Sequence, residues 1–255
     1  TAGNYLEFQG TPPANAVPLT LACWFNLPDV TNYYALMSFC KFTYGSGSGG
    51  DDYFSLGAAG NTGGDPVFGE AAQNGTYAGV NSGTGYTANT WNHGCVVFTS
   101  ATSRTAYCNA GTAGNNTTNV TPVGAAINRS QIGTFINSLG TFNPLSGMVA
   151  EAAVWTAALT AAEVGILADG FSPALVRPNS LAAYWPLVGR YSPEIDLRGG
   201  FPLTMTGTMA QADHCRIVNR RGAYSFGVPD VGGGSPDVDV ALTGSAATVS
   251  AGTFA

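Results

Sequence analysis

The sequence predicts an all-β protein, a sandwich or barrel of antiparallel strands. Three observations carry this. Short apolar or alternating runs recur along the chain, each broken by Gly, Pro, Asn or Asp. A helix-start signature occurs clearly in one place. With 255 residues, 45% of them hydrophobic and 11% aromatic, the chain can fill one large sandwich core or two small ones.

Taken in order, "YLEFQG", "LTLACWFNL", "ALMSFCKFTY" and "DYFSLGAAG" read as strands, and "GSGSGGDD" and "GNTGGDP" as loops between strands. "HGCVVFTS" and "RTAYCNAG" read as a hairpin turning at Ser100–Ser103, "GTAGNNTTNVTP" as a polar loop, and "SQIGTF" as the next strand. Residues 148–155 alternate, with Met148, Ala150, Ala152 and Val154 on one face and Val149, Glu151, Ala153 and Trp155 on the other. Thr160 followed by Glu163 makes a capping box for a helix over 161–168. Val164, Ile166 and Leu167 supply its apolar patch, and Gly170 can end it. Pro173 and Pro178 keep the next segment extended. "LAAYWPLVGRYSPEIDLRGGFPLTMTGTM" gives further strands, and "VPDVGGGSPDVDV" is a linker to a tail of small residues. We therefore expect a domain over 1–226 and a linker with a small-residue β tail over 227–255.

Charged residues make up 9% of the chain, against about 25% in an ordinary soluble domain. Net charge is −6. The few Lys and Arg are scattered apart from Arg216, Arg220 and Arg221, which argues against a nucleic-acid partner. No apolar stretch is long enough for a transmembrane helix, so no membrane partner is expected. The first residues lack a signal peptide's pattern and an initiator Met, which leaves secretion after cleavage open.

Five cysteines, Cys23, Cys40, Cys95, Cys108 and Cys215, show no zinc spacing. If Thr99 faces Arg104 in the hairpin, Cys95 faces Cys108, with Cβ atoms about 4.5–5.5 Å apart. That geometry admits a disulfide; the competing reading is two small buried hydrophobes.

"YLEFQG…LTLACWFNL", "NTWNHGCVVF…SRTAYCNAG" and "SQIGTF…FNPLSGMVAEAAVWTAALTAAEV" occur in the order found in laminin-G-like domains of the concanavalin-A-like superfamily, which residues 4–170 resemble. The resemblance implies an antiparallel jelly-roll β-sandwich. It also implies a structural, hydrogen-bonding His93. Trp91 and Trp155 are expected in the core rather than as sugar platforms, by the burial habit of aromatic residues at the heart of strands. "LVRPNSLAAYWPLVGRYSPEIDLRGG", placed after the helix, resembles segments of laminin-G-like proteins of tailed bacteriophages, and is expected to return and complete a sheet edge.

Three functions are weighed on these residues. The first is a non-enzymatic structural protein on a bacteriophage virion surface, a capsid decoration or a tail or fibre accessory. Its partners would be the major capsid protein, other virion proteins and further copies of itself, with a trimer as one packing the tail suits. The second is a carbohydrate-binding, lectin-like module of a secreted or cell-surface protein. Glycans would meet Tyr33, Tyr34, Tyr44 and Tyr53, and calcium, as the one cofactor considered, would meet Asp51, Asp52 and Asp65. Against this, Tyr and Asp in Gly-rich loops also simply serve turns. The third is a glycoside hydrolase, because "EIDLRGG" resembles the E-x-D-x-E run of β-jelly-roll glucanases. Retention needs two carboxyl groups about 5–5.5 Å apart. Here Arg198 stands where the second Glu belongs, and an arginine holds its proton. No catalytic residue is therefore assigned.

Overall fold

Runs such as Leu36–Cys40 and Cys95–Phe98 are apolar at nearly every position, where a half-buried strand would alternate. The computed structural model, which describes residues 4–42, 52–137, 140–189 and 192–218, shows why: most strands are covered on both faces. The strands are β1 (Tyr5–Gln9), β2 (Leu19–Asn26), β3 (Tyr33–Cys40), β4 (Tyr53–Ala59), β5 (Pro66–Gln73), β6 (Thr76–Gly85), β7 (Asn92–Ser100) and β8 (Ser103–Cys108). They continue with β9 (Gly114–Asn116), β10 (Arg129–Ile132), β11 (Phe135–Asn137), β12 (Gly140–Phe142), β13 (Met148–Trp155), β14 (Leu181–Trp185) and β15 (Thr204–Thr206). A seven-stranded antiparallel sheet has the order β15-β1-β10-β3-β4-β5-β6. It packs on a six-stranded sheet of order β14-β13-β2-β7-β8-β9, and β11 and β12 form a separate hairpin.

Leu21, Phe25, Leu36, Phe39, Phe54, Val96 and Phe98 fill the space between the sheets. Behind the smaller sheet, Ala22, Cys95, Val97, Ala153 and Trp155 meet Leu159, Val164 and Leu167. Alternate residues of β2 and β7 thus serve two different cores, so neither strand can afford a polar face. The helix α1 (Ala161–Ala168) supplies the second cover. Its capping box forms as read, with Thr160 and Glu163 bonding each other's backbone amides. Gly170 follows at φ +87°. Val164 and Leu167 dock, whereas Ile166 stays 41% exposed. Two turns of helix hold only by such docking. Trp155, fully buried, donates from Nε1 to the Val176 carbonyl at 2.8 Å.

After α1 the chain returns to the sandwich twice. β14 pairs with β13 at the edge of the smaller sheet, and β15 pairs with β1 at the edge of the larger. The linker and tail expected over 227–255 lie outside the described residues. Among those described, no helix is long and apolar enough to cross a membrane.

Two single-residue bulges correct the sequence reading. In the β7–β8 hairpin Ser100 pairs with Ser103, but Phe98 rather than Thr99 pairs with Arg104. The extra residue slips the register by one, so Cys95 faces Tyr107 and Cys108 faces Gly94. A slip of one sends a side chain to the other face. Cys95 lies in the helix-side core and Cys108 in the inter-sheet core, both as free thiols. The second bulge falls at Glu151 in β13, where φ is +54° and the register shifts between Ala150 and Ala153. The expected alternation holds for 152–155 and inverts before it, so that Val149 packs on the inter-sheet core.

Candidate functional site

Register builds a polar row across the outer face of the larger sheet. Glu7 pairs with Gln131, Gln131 with Ser38, Ser38 with Ser55, Ser55 with Glu70, and Glu70 with Gly79. Residues two positions away share this face. Tyr53 and Tyr77 therefore flank the row on one side, and Phe68 and Asn81 on the other. The hairpin β11–β12 covers the part over β10 and β3. Ser38 donates to the Thr134 carbonyl, Gln131 accepts from the Ile136 amide, and the Phe135 ring lies 4.7 Å from Tyr53. Ser38 and Gln131 are buried as a result.

Over β5 and β6 the face is open, whereas β4 beside them is buried along its length. Tyr77 is 55% and Tyr33 41% exposed, Gly79 and Asn81 are exposed, and Phe68 and Glu70 are half-buried. Tyr33 meets Phe68 edge-on at 5.8 Å, and its hydroxyl bonds Thr62 at 2.7 Å. The Tyr53 hydroxyl donates to Glu70 Oε2 at 2.5 Å, while Oε1 lies beside Gly79. Phe68 pairs with Asn81 and Tyr77 with Ala72, so their backbone positions are offset by four residues of β6, roughly 13 Å along the strands. The strip thus offers apolar ring surface at both ends and hydrogen-bonding groups between them, the pairing that a sugar's C–H face and hydroxyls require.

Gly57 makes the strip possible. A Cβ there would lie 2.4 Å from two Phe68 ring atoms and 2.7 Å from the Tyr34 carbonyl oxygen. Phe68 can swing away, but the backbone oxygen cannot. Gly57→Ala should cost about 2 kcal/mol, the middle of the range for overpacking, and lift Phe68 off the sheet. A urea melt and the near-ultraviolet aromatic signal would check both.

The tyrosines singled out in the sequence separate. Tyr33 and Tyr53 lie on the described face, Tyr53 only 5% exposed beneath Phe135. Tyr34, one residue on from Tyr33, points into the inter-sheet core, and its hydroxyl donates to Asp29 at 2.8 Å. Tyr44 and Asp51 lie outside the described residues. Asp52 is buried and accepts from the Val123 amide. Asp65 sits at the other end of β4, at φ +47° in the turn into β5. The seven residues of β4 hold the two carboxylates apart, so they do not share one calcium site. Among the described residues no group of three acidic, His or Cys side chains is placed to hold a metal ion. Phe68, Glu70 and Tyr77 were missed. The signal that finds them is Asn74-Gly75, the two-residue hairpin turn that sets β6 against β5 and so fixes Gly79 opposite Glu70.

A cleft of about 550 Å³ opens elsewhere, between β1 and β13 and under residues 187–189 and 205–214. Trp91, expected in the core, is half-buried on its wall. Several of its polar groups are paired internally, while Ser146, Gln211 and Asp213 also line it. Asn4 exchanges hydrogen bonds with Thr208, His214 meets the Pro186 and Cys215 carbonyls, and the buried Glu194 accepts from the Leu187 and Val188 amides. Met148, Met205 and Met209 supply apolar wall. Behind it, burial pushes the Glu151 pKa up to about 6, with the Tyr184 hydroxyl bonded to one oxygen and His214 3.5 Å from the other.

The glucanase-like run is not a regular strand. Glu194 forms a lone bridge to Leu203. Asp196 Oδ1 accepts from the Tyr184 and Arg198 amides. Arg198 donates to the Leu181 and Pro178 carbonyls. These side chains hold the returning segment against β14. His93, expected to hydrogen-bond through its ring, is fully buried beside Trp24 with Nδ1 unpartnered.

A family model described as the concanavalin A-like lectin/glucanases superfamily, of laminin G type, matches residues 1–165. No curated protein matches the sequence. A structure from Bacteroides ovatus, provisionally described as a carbohydrate binding protein, superposes with a TM-score of 0.59 and 18% identity, covering 86% of this chain and 60% of its own. This chain therefore spans less than two thirds of that protein. The CBM40 module of the Ruminococcus gnavus IT-sialidase, bound to α2,3-sialyllactose, superposes with a TM-score of 0.53 and 11% identity, covering 66% of this chain and 94% of its own. At these identities the likeness is one of fold.

Proposed function

The chain belongs to the laminin G-like family of the concanavalin A-like lectin/glucanases superfamily, and on that premise we propose that it is a non-enzymatic, glycan-binding module. One observation carries the reading: the open strip of Tyr33, Phe68 and Tyr77 around Glu70, Gly79 and Asn81. The carbohydrate-binding descriptions of the two structural relatives agree with it. A binding role rather than hydrolysis is supported by the occupation of Glu194, Asp196 and Arg198 with backbone groups. The virion role read from residues 171–226 and the tail draws no support from these relatives. Surface glycan adhesion would suit an extracellular or a particle-borne setting equally.

Calorimetric titration with soluble neutral polysaccharides tests this and locates the site. Tyr77→Ala and Phe68→Ala should each weaken binding about tenfold, as loss of an aromatic anchor does. Trp91→Ala should leave it unchanged. The opposite pattern would move the site to the cleft, and absence of any saccharide binding would remove the reading.

A further inference from the structure

Resting on that reading, we propose that the strip selects saccharides without acidic groups and turns away sialylated, uronic or sulfated ones. Glu70 is the one charged side chain among the described residues of the strip, and it is a carboxylate. Tyr53 donates its hydroxyl proton to Oε2, which leaves Oε1 beside the bare backbone of Gly79 as an acceptor facing the open side. A carboxylate accepts and never donates. Its natural complement is a pair of sugar hydroxyls, which donate. An anionic sugar would bring a second acceptor-only group against the first, and like charges placed together in an interface cost several kcal/mol.

Among the described residues no cation stands ready to reverse this. Arg129 lies on the same face, but three strands from Glu70, roughly 14 Å at the usual strand spacing. Its guanidinium is engaged by Glu7 at 2.8 Å and stacks on Phe42 at 3.8 Å. Lys41 follows the end of β3, a similar distance away, beyond a Debye length of about 8 Å at physiological salt. The segment 43–51 after β3 contains no basic residue in its sequence, and the chain carries a net charge of −6. Selectivity is therefore set by one carboxylate that no neighbouring charge offsets.

The experiment compares lactose-type oligosaccharides with and without a terminal sialic acid, by titration calorimetry at low and high salt. Parallel titrations use neutral and uronic-acid polysaccharides, with wild type, Glu70→Gln and Tyr77→Ala. Glu70→Gln keeps the shape and removes the charge, and the half-exposed position does not threaten the fold. The expected result is that neutral ligands bind wild type at least about tenfold more tightly than their acidic counterparts. That gap should narrow at high salt and in Glu70→Gln. Equal or tighter binding of acidic ligands, lost in Tyr77→Ala, would overturn the selectivity while leaving the glycan-binding reading intact. Binding of every ligand that survives Tyr77→Ala, or no binding at all, would overturn both.

Discussion

Acid should unfold this protein largely through one imidazole. His93 sits in β7, fully buried beside Trp24 with ring centroids 5.5 Å apart, and burial pushes its pKa down to about 3. In the unfolded chain an imidazole titrates near 6.5. Between those values the unfolded state takes a proton that the folded state refuses. Stability is therefore whole above about pH 6.5 and falls by about 1.4 kcal/mol per unit as pH drops, a total of roughly 4–5 kcal/mol by pH 3. Glu151 acts in the opposite sense. Its folded pKa, raised to about 6, means that the fold holds a proton the unfolded chain has released. Acidification from pH 6 to 4.5 thus returns about 2 kcal/mol. The two nearly cancel down to about pH 4.5, below which His93 acts alone among them. Asp29, held low by the Thr31 amide and the Tyr34 hydroxyl, deepens the loss near pH 3. Urea melts across pH should therefore show a shallow shoulder and then a steep acid limb. His93→Gln should remove this slope of about 1.4 kcal/mol per pH unit and so flatten the acid limb below about pH 4.5. Glu151→Gln should remove the shoulder. A His93→Gln limb parallel to that of wild type would show that His93 is not held neutral.

What could be read from the sequence was local, and what was missed depends on pairing. The helix is legible because Thr160 and Glu163 sit three residues apart and satisfy each other without help from the rest of the chain. The strands are legible as apolar runs. Their facing is not, because a bulge adds one residue without a marked composition change. Thr99 and Glu151 look like ordinary strand residues, yet each reverses the side chains on one side of it. This is why Cys95 and Cys108 part company. Tyr33, Glu70 and Tyr77 lie far apart in sequence and meet only because β3, β4, β5 and β6 are neighbours in the sheet. Trp91 was expected in the core because aromatic residues at the heart of strands usually lie there, but it precedes β7 and stays half-buried, facing a wall that comes from residues 187–189 and 205–214, beyond the stretch that matches the family.

Replacing Arg104 with methionine should lower stability by about 3–5 kcal/mol, because it strands several buried oxygen acceptors at about 1–3 kcal/mol each. For a chain of this size that shifts Tm by roughly 10 °C. Arg104 lies in β8, 1% exposed, with no carboxylate in an ion pair to it among the described residues. Its charge is answered by oxygen dipoles instead. Nη1 donates to Asn116 Oδ1 at 2.7 Å and to the Thr118 carbonyl at 2.9 Å, and Nη2 donates to the Ala101 carbonyl at 2.8 Å and the Val120 carbonyl at 3.4 Å. Only a planar fork reaches all four, so Arg104→Lys should lose at least as much as Arg104→Met, keeping the buried charge with fewer bonds. Thermal melts of the pair would separate lost hydrogen bonds from an uncompensated charge, and an Arg104→Met melt within 1 kcal/mol of wild type would mean that packing of Val120 holds the loop unaided. The consequence reaches the strip. The loop Arg104 pins carries β9, where Gly114 comes so close to Asn81 of β6 that a Cβ would lie 1.6 Å from its carbonyl oxygen. β6 is the edge strand of the larger sheet and carries Tyr77, Gly79 and Asn81. Loosening the clamp should therefore weaken saccharide binding at temperatures below the melt, although Arg104 lies in the other sheet from every residue of the strip.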